Sequence, residues 1–265
     1  MSLHLFPPHE DPGPNFAELL RRTSDLPLPQ LSGEISTAHG TTIVALRYDG
    51  GVIMAGDRRA TEGVSIAHRG IEKVFAADRY SAVAIAGAAG PAIEMVRLFQ
   101  TQLEHYEKVE GAVLTLEGKA NQLSQMIRSN LPMAMQGLAV VPLFAGWDQR
   151  KAVGRIFTYD ITGGRYEEAD YAATGSGGRD ARTTVKLGFH EGLARDEAVE
   201  LAAKALYQAA DEDAATGGPD PLRGIYPIIA TVDATGFTRL AEEQVAERFA
   251  AVIAQSSRRE EVEPS

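Results

Sequence analysis

The chain has 265 residues and a hydrophobic content of 44%, enough for one large domain with a substantial core. Its formal net charge is -10 and no stretch concentrates Lys and Arg, which argues against a nucleic-acid or anionic-membrane surface. Cysteine is absent, excluding disulfides, thiol nucleophiles and cysteine-bound zinc, and the 6 histidines never fall at ligand spacing, so neither metal nor cofactor is expected. No apolar run approaches the roughly 18 residues of a membrane span, and the first residues lack the apolar centre of a secretion signal.

Residues 1–40 carry Pro7, Pro8, Pro12, Pro14, Pro27 and Pro29, which bar lasting regular structure. Only Phe16 to Arg21 reads as a short helix, and taken alone the segment is a disordered tail. From Thr42 the pattern changes. Ile43 to Leu46 and Val52 to Ala55 are compact apolar strands around the turn Asp49-Gly50-Gly51, and Ile71 to Phe75 and Ser81 to Ala86 repeat the theme. These four strands are predicted to build one antiparallel sheet.

Pro91 opens a helix along which Ile93, Val96, Phe99, Leu103 and Tyr106 recur at helical spacing. A second helix carries Leu116, Ala120, Leu123, Ile127, Leu131 and Ala134. Both stripes read as core faces. Strands follow at Leu138 to Ala145, Arg155 to Tyr159 and Tyr166 to Ala173, then the Gly-rich run Gly175-Ser176-Gly177-Gly178 and helices at Arg179 to Gly188 and Arg195 to Glu212. Strands at Ile225 to Val232 and Phe237 to Leu240 precede a last helix, Ala241 to Ala254, and residues 255–265 are expected to be a flexible tail. Runs of strands alternating with runs of helices indicate an α+β fold: two antiparallel sheets face to face with helices outside, a four-layer αββα sandwich.

The composition boundary falls at His39-Gly40-Thr41-Thr42. A cut between Gly40 and Thr41 would give Thr41 a free α-amine beside its own hydroxyl, placing base and nucleophile in one residue. Such an amine has a pKa of roughly 7.7 to 8.0, so a useful share is unprotonated near neutrality.

Five blocks then carry a family likeness: Thr41 to Ala45, Ala55-Gly56-Asp57-Arg58-Arg59-Ala60-Thr61, Ile71-Glu72-Lys73-Val74-Phe75 with Ile85-Ala86-Gly87, Gly175 to Gly178, and Asp213-Ala214-Ala215-Thr216-Gly217-Gly218. Together they resemble the β subunit of the 20S proteasome, in particular the actinobacterial kind, over Thr41 to about Phe249. The resemblance implies an N-terminal-nucleophile hydrolase fold and a threonine endopeptidase. By that likeness Lys73 stands beside the Thr41 hydroxyl, Asp57 pairs with Lys73, and Arg59 organises the pair from behind. Gly87 offers its N–H to the oxyanion, Ser176 and Asp213 orient the Thr41 amine, and Thr216 supports them from a position often held by serine. Read in isolation, Asp57 and Lys73 would be a strand-end salt bridge, Gly87 a turn and Asp213 a solvated helix-end acid.

The same likeness implies a pocket lined by Ala60, Thr61, Ile85, Ala89 and Ile93, with Glu62 near its rim. Walls that are small or apolar and carry no charge predict cleavage after hydrophobic residues. Residues 1–40 become a propeptide removed by autocleavage, residues 41–254 the catalytic domain, and the whole chain a precursor. The implied assembly has heptameric β rings, two back to back, between rings of α subunits in an α7β7β7α7 core, fed with polypeptide by an ATPase unfoldase in the cytoplasm. Two other readings stay open: a non-catalytic ring subunit, and the shorter two-ring bacterial peptidase HslV.

Overall fold

The computed structural model describes residues 40–63 and 65–262. These belong to one compact unit, Ser36–Ser265. The expected helix at Phe16 to Arg21 and the rest of the leader before Gly40 lie outside the described residues.

Two five-stranded antiparallel sheets form the centre. The first has strands β1 (Thr42–Tyr48), β2 (Gly51–Gly56), β10 (Tyr171–Gly175), β11 (Ile228–Asp233) and β12 (Gly236–Arg239), in the order β10-β1-β2-β11-β12. The second has β5 (Val74–Asp78), β6 (Ser81–Gly87), β7 (Val140–Asp148), β8 (Val153–Tyr159) and β9 (Arg165–Glu168), in chain order. A small hairpin of β3 (Ala60–Glu62) and β4 (Ser65–His68) stands apart.

Side chains alternate across a strand, so an apolar run such as Ile43-Val44-Ala45-Leu46 must be buried on both faces. Ile43 and Ala45 enter the cluster between the sheets, with Met54 and Val232 opposite Ala84, Leu143 and Ile156. Val44 and Leu46 point the other way, onto an outer helix layer of α4 (Gly178–Gly188), α5 (Arg195–Glu212) and α6 (Glu242–Val262). Ala202, Ala205 and Leu206 of α5 and Phe249 of α6 complete that cluster, the alanines letting α5 lie close to the sheet. On the far side, α1 (Ala89–Glu110) and α2 (Leu116–Ser129) cover the second sheet, where Phe99 meets Phe144 edge-on at 5.8 Å. The four-layer αββα sandwich expected from element order is therefore the fold.

Several local expectations are corrected. The first four expected strands do not share a sheet: β1 and β2 lie in one and β5 and β6 in the other. The segment from Asp57 to Lys73, which includes the unanticipated β3–β4 hairpin, carries the chain across. The single strand expected from Tyr166 to Ala173 is two, β9 and β10, on different sheets. The crossover at Ala169 and Asp170 is held by Arg47, whose guanidinium donates to the Ala169 carbonyl at 2.9 Å and whose amide donates to that of Asp170 at 2.8 Å. Helix α2 stops at Ser129, and Leu131 and Ala134 belong to a separate turn, α3 (Leu131–Ala134), because Pro132 cannot supply the N–H that continuation requires. Finally, α6 runs past Ala254 to Val262, so residues 255–262, expected in a flexible tail, are helical.

These crossings set up the site. Thr42 pairs with Gly175 and Ile43 with Gly56, while Gly87 pairs with Val140 in the other sheet. The start of β1 and the ends of β2, β6 and β10 converge, with the first turns of the 57–73 crossing between them.

Candidate active site

Asp57 follows β2 directly and is wholly buried. A buried carboxylate persists only when its lone pairs are filled. Here Oδ1 accepts from the Thr42 amide at 2.8 Å and Lys73 Nζ at 2.6 Å, while Oδ2 accepts from the amides of Arg59 at 2.8 Å and Gly217 at 2.9 Å. Lys73 is buried too, and the three protons of its ammonium go to Asp57, to the Arg59 carbonyl at 2.6 Å and to the Gly40 carbonyl at 3.2 Å. Burial pushes the Lys73 pKa below its ordinary value; the Asp57 and Asp213 carboxylates oppose this without cancelling it, and the Arg59 charge adds to it.

Thr41 sits at the mouth of β1 with 4% of its surface exposed. Its hydroxyl donates to the Gly40 carbonyl at 2.8 Å, so this one carbonyl oxygen receives both the Thr41 hydroxyl and Lys73. The Thr41 amide donates to Ser176 Oγ at 3.2 Å, and its carbonyl accepts from the Ser176 amide at 2.8 Å.

Ser176 Oγ in turn donates to Asp213 Oδ2 at 2.5 Å, and the Thr216 hydroxyl donates to the same oxygen at 2.6 Å. Partial burial works against the Asp213 charge, yet these hydroxyls, the Ala215 amide and the Lys73 charge outweigh it and hold the pKa below the usual carboxylate range. The guanidinium of Arg59 ties this loop to the crossing segment by donating to the Ala214 carbonyl at 2.8 Å. Thr41, Asp57, Arg59, Lys73, Ser176, Asp213 and Thr216 thus form one connected network.

Gly87 ends β6 with φ 105, and a Cβ there would lie 2.1 Å from the Ala139 carbonyl oxygen, so only glycine fits. It lines a narrow cavity of about 10 Å³ together with Gly40, Thr41, Lys73, Ala60, Ile85 and Ala89. Ile71 and Ala92 also line it, and neither was singled out in the sequence, where both read as ordinary apolar residues. The other two expected pocket residues adjoin this lining: Thr61 accepts the Gly40 amide at 3.1 Å, and Ile93 packs on the core cluster that includes Ile85 and Ala92. Glu62 is exposed on β3.

Among the described residues no group of three His, Cys, Asp or Glu side chains is arranged to hold a metal, and no helix is long and apolar enough to cross a membrane. The arrangement offers instead a hydroxyl, a buried cation beside the carbonyl it faces, and a relay of hydroxyls ending on a carboxylate.

Residues 37–220 match a family profile described as Proteasome subunit. A proteasome subunit beta from Acidimicrobium ferrooxidans is 63% identical over 251 residues, spanning 93% of this chain and 92% of the relative. Similar proteins named proteasome subunit beta occur in Streptomyces griseus, at 60% identity over 83% of this chain and 78% of the relative, and in Acidothermus cellulolyticus, at 59% over 82% and 76%.

Proposed function

The chain belongs to the proteasome subunit family, among its β subunits, and from that premise we propose that it is a threonine-type endopeptidase made as a precursor, with Thr41 as nucleophile. The observation that carries this is the Gly40 carbonyl, which faces the Thr41 hydroxyl and the Lys73 ammonium together. In the precursor the Thr41 Oγ adds to the Gly40 carbonyl carbon, the bond from that carbon to the Thr41 nitrogen breaks, and the nitrogen takes the hydroxyl proton. The resulting ester is hydrolysed by water, releasing residues 1–40 with a carboxylate at Gly40 and leaving a free Thr41 amine.

In the mature enzyme that amine serves as the base. It accepts the proton of Oγ as the oxygen attacks the scissile carbonyl of a bound polypeptide, then passes the proton to the departing amine. Lys73, kept in place by Asp57, lowers the cost of negative charge on Oγ, and Ser176 with Asp213 holds the amine's orientation. The Gly87 N–H faces the developing oxyanion. Ala60, Ile71, Ile85, Ala89 and Ala92 offer apolar, uncharged walls, favouring a hydrophobic residue before the cut. Partners on this reading are other β subunits in heptameric rings, flanking α rings, an ATPase unfoldase and unfolded polypeptides, in the cytoplasm.

Hydrolysis of fluorogenic peptides by wild type and Thr41→Ala tests the assignment. Wild type should cut after hydrophobic residues and the variant should not cut at all. Undiminished hydrolysis by Thr41→Ala refutes the nucleophile, and fastest cutting after Lys or Arg refutes the specificity.

A further inference from the structure

The hydroxyl of Thr42 takes no part in the chemistry above, yet its surroundings are more elaborate than strand packing requires. Thr42 is wholly buried, as is Thr216. The Thr42 hydroxyl oxygen accepts the Gly177 amide at 3.1 Å and lies 2.6 Å from Thr216 Oγ1. An ionised carboxylate only accepts, so Thr216 must spend its one proton on Asp213 Oδ2. Thr216 can therefore only accept from Thr42.

The direction of the whole relay follows: Gly177 amide to Thr42, Thr42 to Thr216, Thr216 to Asp213, met on the same carboxylate oxygen by the arm running from the Thr41 nitrogen through Ser176. The backbone of Thr42 reaches the opposite side of the site. Its amide donates to Asp57 Oδ1, the oxygen that also holds Lys73, and its carbonyl accepts from the Asp57 amide at 3.1 Å. A second observation agrees: Gly177 has an ordinary backbone conformation, φ -87, but a Cβ on it would lie 2.5 Å from the Thr42 hydroxyl and 2.9 Å from that of Thr216. The space a side chain would fill holds the hydroxyl pair.

We infer that Thr42 is a positioning residue for the proposed reaction, its hydroxyl fixing the loop 213–218 through Thr216 and so setting where Asp213 and Ser176 stand relative to Thr41. This rests on Thr41 being the nucleophile. Valine keeps the shape and branching of threonine and suits a strand, but it leaves the Gly177 amide without an acceptor and Thr216 without its donor.

Thr42→Val, Thr42→Ser, Thr216→Val and the double valine variant, each in the full-length chain, would be compared with wild type for peptide hydrolysis and for processing by intact mass. Thr42→Val should lower kcat about tenfold or more with KM changed less than about threefold, as expected of misaligned groups. Thr42→Ser should recover the rate, and the double variant should fall well short of the summed losses of the two single ones, because both break the Thr42–Thr216 bond, while Thr216→Val also takes a donor from Asp213 and Thr42→Val an acceptor from the Gly177 amide. A wild-type kcat in Thr42→Val overturns the inference. So does equal damage in Thr42→Ser, which would mean the methyl group matters and the hydroxyl does not. If Thr42→Val does not fold, Thr216→Val breaks the same link from the loop and leaves β1 untouched; a wild-type rate there overturns the inference equally. Hydrolysis that survives Thr41→Ala brings down the nucleophile and this inference with it, a failure distinct from one confined to the Thr42 variants.

Discussion

Asp57 joins the two sides of the site, accepting Lys73 together with the amides of Thr42, Arg59 and Gly217. Asp57→Ala would strand the Lys73 ammonium in a buried position and should destabilise the fold by about 3–5 kcal/mol, read as a fall in the denaturant midpoint. A loss under about 1 kcal/mol would mean that Lys73 is held neutral rather than as a cation. The pH dependence has a definite sign. Asp213 has a depressed pKa in the fold, so its contribution to stability is complete above the unfolded value of roughly 3.9 and is lost as pH falls through the folded value. Asp213→Asn should flatten that acid limb; an unchanged limb would show that Asp213 does not contribute. Lys73 also has a lowered pKa, so a rate that depends on its charge should fall off as pH rises before the roughly 10.4 of a free lysine. Gly40 is confined by space: a Cβ there would lie 2.0 Å from the Ala215 Cβ and 2.4 Å from the Ala215 carbonyl oxygen. Gly40→Ala should therefore slow cleavage of the Gly40–Thr41 bond, and processing at the wild-type rate would show that the loop yields.

At the scale of elements, helix α1 was legible from its apolar spacing and strands β1 and β2 from their compact apolar runs around a glycine turn. Sheet membership was not. A strand buried on both faces, such as Ile43 to Leu46, is apolar at every position and carries no sign of which sheet it joins. Tyr166 to Ala173 looks continuous in sequence, and only the Arg47 contacts with Ala169 and Asp170 show where it leaves one sheet for the other. The β3–β4 hairpin escaped notice because β4 is exposed throughout and has no core face to read. For the candidate site, Thr41 stood out by composition, whereas Asp57, Lys73, Ser176 and Asp213 lie far apart in the chain and were reached by family likeness. Thr42, Ile71 and Ala92 were not singled out, since an ordinary strand threonine and two apolar residues reveal their neighbours only once folded. Phe99→Ala offers a check on the layer that carries Gly87. It removes a wholly buried ring packed on Phe144 and should cost about 3–5 kcal/mol. A smaller loss would mean that α1 repacks on β6 and β7.

For the molecule as a whole, the two sheets bring residues from both ends of the chain to one edge of the sandwich. Cutting at Gly40–Thr41 would convert the amide that donates to Ser176 into an amine that can accept a proton, and would take away the Gly40 carbonyl that the Thr41 hydroxyl and Lys73 share. The proposed rings predict that activity co-elutes with a large particle, and a fully active monomer would contradict them. The most direct test of the account is intact-mass measurement of the full-length chain, alone and mixed with its proposed α partner, beside Thr41→Ala. The wild-type chain should lose residues 1–40 on assembly while the variant retains them; an unprocessed active wild type, or a variant trimmed before residue 41, would contradict Thr41 as the self-cleaving nucleophile.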